Sequence, residues 1–284
     1  MLIPGAAANY DALKGGTIQA AAIRDNTIPA DAKKNGYGVI EMPAVGVGGN
    51  MLQMNASKGA TANIKVRQAV AHAVDPKVIV DRVYNGAGAA NSAPFANSPW
   101  DSKVEGRKYD PAEARRLLGE AKAQGYDSKI RVLAANTPEG TSWGVAVQTM
   151  LQAVGFDVAL DTSKDGQSVV SQVLVQQDYE IAQWALGVTD ESDGNYLPLA
   201  QTFAGKRYGY GPQDMLDAVD KLRTATNDSE RVAAYKGISD IWIRDVPSHV
   251  TNSVMFAWVY ASKVHGPLRT SIQDVLLDKA WIER

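Results

Sequence analysis

The sequence predicts an α/β protein, a β-α-β sheet flanked by helices, on three observations. Residues 129–133 and 156–160 alternate apolar and polar side chains as strands do, while Val145, Val147, Met150 and Leu151 recur at helical steps in 143–154. A helix between two strands implies a right-handed crossover that leaves the strands parallel and adjacent. Two Asp-Pro pairs, Asp75-Pro76 and Asp110-Pro111, open further helices, with aspartate as N-cap and proline in the first turn, where its missing N–H costs nothing.

Taken in order, residues 10–24 read as a short helix and strand, with Tyr10, Leu13 and the Gly15-Gly16 turn before Thr17-Ile18-Gln19-Ala20-Ala21-Ala22-Ile23. A strand at 38–43 stops at Pro43. Gly46-Val47-Gly48-Gly49-Asn50 follows as a flexible crossover; it is no dinucleotide fingerprint, because the third glycine and the following helix are missing. Residues 51–55 alternate as a strand. From Ile64, Val66, Ala69, Val70, Ala73 and Val74 mark a helix. The Asp75 helix carries Val78, Ile79, Val83 and Tyr84 and stops at Asn85-Gly86. Asp110-Pro111-Ala112-Glu113 is a capping box opening a helix through Leu117, Leu118 and Ala121 to Gly125. After the β-α-β unit, a helix around 166–176 and a strand at 179–184 are expected. Helices over 212–226 and 228–244 and a strand near 249–259 then lead to an extended C-terminal tail.

Composition bounds the function. At ~100–200 residues per domain, 284 residues make one large or two ordinary domains. The net charge is −2 and no basic run exceeds two residues, so no nucleic-acid partner and no anionic membrane surface is expected. The absence of cysteine removes disulfides, iron–sulfur clusters, thiolate zinc sites and cysteine nucleophiles, and no cofactor or metal is expected. His72, His249 and His265 stand without ligand spacing and read as structural or surface residues. No stretch approaches the ~18 apolar residues of a membrane span. Met1-Leu2-Ile3-Pro4-Gly5 shows no export signal, which leaves a cytosolic protein or one whose leader lies outside this sequence.

No Gly-x-Ser-x-Gly elbow, Walker loop or His-Glu-x-x-His helix is present. Asp190-Glu191-Ser192-Asp193 suits a solvated turn, or a site for calcium or an ammonium group. Trp100, Trp143, Trp184 and Tyr196 fall in loops or at strand ends, where a pocket of an α/β protein opens, whereas Trp242 and Trp258 read as core.

From Met54 to Leu160 a longer pattern emerges. Asn55, then Val66-Arg67-Gln68-Ala69-Val70-Ala71-His72-Ala73-Val74-Asp75-Pro76 and Val83-Tyr84-Asn85-Gly86, resembles the signature of the peptide/nickel/opine class (family 5) of ABC-transporter solute-binding proteins. The segment from Tyr109-Asp110-Pro111 to Leu117-Leu118, then Gln148, Leu151 and Gly155-Phe156-Asp157-Val158, agree in order and spacing, as do Asp228-Ser229-Glu230-Arg231 and Asp245-Val246-Pro247.

The resemblance implies a type II periplasmic-binding-protein-like lobe with remnants of a first lobe. Residues 1–46 would be the remnant of lobe one, 47–257 lobe two and 258–284 the return to lobe one, with hinge crossings at 46–49 and near 254–260. It implies a non-enzymatic component of an ABC importer, outside the cell membrane, that takes oligopeptides or similar polar solutes by hinge closure. Its partners would be the permease subunits, with membrane contact only through them or through a lipid anchor outside this chain. The cleft face would carry Asn136, Thr137, Trp143, Trp184, Thr189 and Asp190. Thr189 stands where peptide-binding relatives place an aspartate, and the segment 134–140 lacks the arginine of dipeptide binders. A sensor that signals through a membrane partner is the alternative, and a small α/β hydrolase a weaker one. With half of its contact surface missing, this chain alone is expected to bind solute weakly or not at all.

Overall fold

The computed structural model describes residues 3, 5–25, 27–42, 50–86, 88–186, 192–253, 256–269 and 275–283, with backbone only at 24 and 192–195. The chain begins with α1 (Ala6–Lys14), β1 (Ala20–Arg24), α2 (Ile28–Lys34) and β2 (Gly38–Met42). Strand β3 (Asn50–Met54), helices α3 (Ile64–Ala73) and α4 (Pro76–Val83), the two-residue β4 (Ala89–Ala90) and α5 (Pro111–Ala123) follow. The β-α-β unit is β5 (Lys129–Ala135), α6 (Pro138–Val154) and β6 (Asp157–Lys164). Next come α7 (Gly166–Ser171), extended by a π turn over Gln172–Gln176, then β7 (Ile181–Trp184) and helices α8 (Ser192–Ala204), α9 (Gln213–Thr224) and α10 (Asp228–Asp245). Strands β8 (Ser248–Ser253) and β9 (Phe256–Tyr260) precede two small ladders, one pairing β10 (Val264–His265) with β13 (Trp281–Ile282) and one pairing β11 (Leu268–Arg269) with β12 (Val275–Leu276).

Two larger sheets result. The six-stranded sheet runs β4-β8-β3-β7-β5-β6, with β5 parallel to β6 and β7 and the remaining pairs antiparallel. The three-stranded sheet places β9 between β1 and β2, antiparallel to both. The chain passes between the sheets after Met42 and returns after Ser253. The expected strand over 249–259 is therefore two strands in two sheets. Gly38 lies opposite Tyr260, and a Cβ there would stand 2.1 Å from its ring, so only glycine fits.

Helices cover both faces of the larger sheet. Leu52 and Met54 of β3 join Ile130 and Val132 of β5 in a core with α3, α4, α5 and α6. Met51, on the opposite face, packs with Val250 and with Phe203, Tyr235 and Trp242 of α8 and α10. All five residues of β3 are buried, as expected of a strand covered on both faces. Leu133 and Ala182 face α7 through Val169 and Val173. A separate small core, built on Tyr10, Leu13, Ile23 and Val259, holds the three-stranded sheet.

Both Asp-Pro caps form: Asp75 Oδ1 accepts from Lys77 N at 2.8 Å, and Asp110 Oδ1 from Ala112 N and Glu113 N at 3.0 Å. The second is not a reciprocal box, because Glu113 turns to Arg116 and Asp110 N donates to His72 O instead. Arg67 of the signature is buried and ties α3 to the end of α10, donating to Asp245 O at 3.0 Å and to Thr61 O at 2.8 Å. Burial pushes the Asp245 carboxyl up, but hydrogen bonds from Arg244 and Tyr210 outweigh it and hold it below its ordinary value.

Three elements depart from expectation. Helix α6 begins at Pro138 rather than 143, because Thr137 caps it, its Oγ1 accepting from Gly140 N at 3.0 Å. Helix α2 forms although only seven residues long, aided by Asp25, whose Oδ1 accepts from Ile28 N. Helix α8 forms across Gly194 and Pro198, residues that read as breakers. Trp242 is core, whereas Trp258 is half-buried.

Candidate functional site

In open α/β sheets, ligands collect beyond the carboxyl ends of parallel strands, where the following helices present their amino termini. Here that edge is formed by Ala135 at the end of β5 and Trp184 at the end of β7, with the first turns of α6 and α7 beside them. A cavity of about 380 Å³ opens there. Thr137 and Glu139 line it from the start of α6, Gly166, Val169 and Val170 from α7. Gln183, Trp184 and Ala185 at the end of β7, and Asn50 from β3, complete it.

Its polar groups are interlocked. Tyr84 Oη, just past α4, donates to Glu139 Oε1 at 2.9 Å, and Gln183 Nε2 donates to the same oxygen at 3.3 Å. Asn50 Nδ2 donates to Tyr84 Oη, so four segments meet at this rim. Trp184 is half-buried and its Nε1 donates to Tyr208 Oη at 2.8 Å. Burial pushes the Tyr208 hydroxyl pKa up, against the hydrogen bond from Trp184, so the phenol stays protonated. Apolar and aromatic side chains share the lining with these polar groups, as in small-molecule sites generally.

A larger cavity of about 660 Å³ lies at the amino ends of β5 and β6, between Tyr126, Arg131 and Glu180. Of the three carboxylates that line it, Glu180 is already committed, accepting from Ala60 N at 2.6 Å and from Arg131 N at 2.7 Å. Strand direction and the helix amino termini favour the smaller cavity as the site. Among the described residues no group of three or more histidine or carboxylate side chains is placed to hold a metal ion.

The expected site residues divide. Thr137 and Trp184 line the cavity, and the exposed Asn136 stands between Ala135 and Thr137, its N–H donating to Lys164 O at 2.7 Å. Trp143 needs correction. It lies in α6, is 0 % exposed and packs in the core beneath that helix, so it offers no surface to a solute. Thr189 and Asp190 lie outside the described residues, as do the glycine crossing at 46–49 and residues 254 and 255 of the second crossing. Trp100 stacks on Tyr235, and Tyr196 packs on the core formed by α8, α9 and α10. Glu139, Tyr84, Gln183 and Asn50 were not anticipated; the helix-start pattern Thr137-Pro138 is the one local signal that would have placed Glu139 in a first turn.

Comparison with known proteins follows the same lines. A family model described as bacterial extracellular solute-binding proteins, family 5, matches residues 1–207. The chain is 25% identical to the dipeptide-binding protein of Escherichia coli K12 over 253 residues, which is 84% of this chain and 45% of that protein. It is 31% identical over 122 residues to the heme-binding protein A of Haemophilus influenzae, covering 42% of this chain and 22% of that protein. In three dimensions it resembles the dipeptide-binding protein of Pseudoalteromonas sp. SM9913 in complex with Met-Leu. The TM-score is 0.80 at 19% identity, over 99% of this chain and 57% of that one. The chain thus spans less than half the length of these two curated relatives. These relatives are binding proteins, and their architecture is that of type II periplasmic binding proteins. No helix among the described residues is long and apolar enough to cross a membrane.

Proposed function

The chain belongs to the bacterial extracellular solute-binding proteins of family 5, and from that premise we propose that it serves as the solute-binding component of an ABC importer for oligopeptides or similar polar solutes. It binds and does not turn over its solute, and it delivers the solute to permease subunits at the outer face of the cell membrane. Residues 1–46 and 258–284 belong to the first lobe and 47–257 to the second. Solute is held against the second lobe while the first closes over it about the two passages between the sheets, binding energy being spent on closure.

The observation that carries this reading is the cavity at the carboxyl ends of β5 and β7, walled by Trp184 and opened on by the first turns of α6 and α7. Asn136, Thr137 and Trp184 contact solute there. Thr189 and Asp190 belong to the same face on the strength of the resemblance alone. An aromatic wall suits peptide side chains, and the Thr137 and Asn136 side chains suit peptide backbone groups.

Equilibrium dialysis of the chain against a millimolar pool of mixed tetrapeptides, with mass spectrometry of what is retained, tests it. Peptides are retained by the native chain and Trp184→Ala lowers retention about tenfold, the scale of losing one aromatic contact. A folded native chain that retains no tetrapeptide contradicts the proposal.

A further inference from the structure

We propose that this cleft face selects cationic solutes, with Glu139 receiving an ammonium or guanidinium group whose apolar neighbour packs between Trp184 and Val170. The inference rests on the cleft reading above and adds the charge of the solute to it.

Among the described residues lining the cavity, Glu139 alone carries a charge. Its two donors, the Tyr84 phenol and the Gln183 amide, are both neutral and both address Oε1. They orient the carboxylate without cancelling it. An ionised carboxylate offers about four lone-pair sites, and Oε2 takes no hydrogen bond or ion pair among the described residues. Lys164, whose carbonyl binds the Asn136 N–H, has its ammonium on Asp161 at 2.6 Å and is not spent on Glu139. A fixed, unpaired negative charge in a concave, partly apolar surface focuses its potential on whatever enters.

A plainer account makes Glu139 a helix-start residue, stabilised by the α6 dipole. The bonding pattern argues against that being its whole role. Thr137 already serves the first amides of α6, its Oγ1 accepting from Gly140 N and its carbonyl from Thr141 N. Glu139 instead reaches across to residues that follow α4 and end β7. Beside it, Trp184 is half-buried and Val170 of α7 is 45 % exposed, an apolar surface next to an acid. Such a pair suits a cation carried on an apolar body: the ring face and the carboxylate both attract the positive end, and the valine covers the remainder.

Three probes of one body test the charge. Tetra-alanine amide with a free amino terminus is cationic, acetyl-tetra-alanine amide is neutral and acetyl-tetra-alanine is anionic. Dissociation constants for the chain are read from NMR chemical-shift titrations at millimolar probe. The cationic probe binds about tenfold more tightly than the neutral one, the scale of one charge-assisted hydrogen bond, and the anionic probe binds most weakly. Glu139→Gln abolishes the preference while still binding the neutral probe. Glu105→Gln, which removes an equal charge from an exposed pair with Lys108, keeps the preference. Equal binding of all three probes, or a preference that survives Glu139→Gln, overturns the charge selection and leaves the cleft reading standing. A folded chain that binds none of the three overturns both.

Discussion

Tyr84 Oη donates to Glu139 Oε1 across 2.9 Å, although 55 positions separate them in sequence. The bond joins the residue that closes α4 to the first turn of α6 and sets the aim of the one charged group described in the cleft. Asn50 from β3 donates to the same phenol, so the carboxylate is positioned by a chain of neutral groups anchored in the sheet.

Tyr84→Phe keeps the ring in its core position and removes this aim. The cationic preference falls about threefold to tenfold while the neutral probe binds as before, and the chain loses about 1 kcal/mol of stability for the missing hydroxyl. Paired titrations with the two probes and a urea melt check both numbers. An unchanged preference would make Tyr84 a core residue only.

Trp143 is a matter of stability, not recognition. It is fully enclosed beneath α6, so Trp143→Ala leaves a cavity and costs about 3–5 kcal/mol. Urea unfolding gives the loss. Tetrapeptide retention per folded molecule stays at the native value, and a drop in retention without loss of stability would return Trp143 to the site.

His249 makes stability depend on acid. It lies in β8 and is 3 % exposed; burial pushes its pKa down to about 4, against a hydrogen bond with the backbone of Val74 and with the charges of His72 and Arg107 also disfavouring protonation. The unfolded chain takes up this proton near pH 6.5 and the folded one only near 4, so between those values the unfolded state binds more protons. Stability from this group is complete above about pH 6.5 and falls as pH drops toward 4, by about 3 kcal/mol at most. Urea midpoints from pH 7 to 4 show the fall, and His249→Gln flattens it. A native chain equally stable at pH 7 and 4.5 contradicts the account.

Sequence reading works here where the signal is local. The strands and connecting helix of the β-α-β unit declare themselves by their own periodicity, and Asp75-Pro76 and Asp110-Pro111 cap helices as their side chains require. Thr137-Pro138 is the same kind of helix start, but the polar run to Gly140 reads as a loop, and Trp143 is thereby misplaced from core to cleft. Ser248 to Tyr260 shows no described break in pattern, since leaving one sheet for another is a property of topology, not of side-chain alternation. The rim of the cleft is harder still. Tyr84, Glu139 and Gln183 lie 55 and 44 positions apart, and only the packing of α4, α6 and β7 brings them together.

The central claim is that solute sits at the carboxyl ends of β5 and β7, and hydrogen–deuterium exchange with and without a saturating tetrapeptide pool tests it most directly. The account predicts slowed exchange in the first turns of α6 and α7 and at residues 183–186. Protection around Tyr126 and Arg131 at the opposite end of the strands, or no protection anywhere, contradicts it.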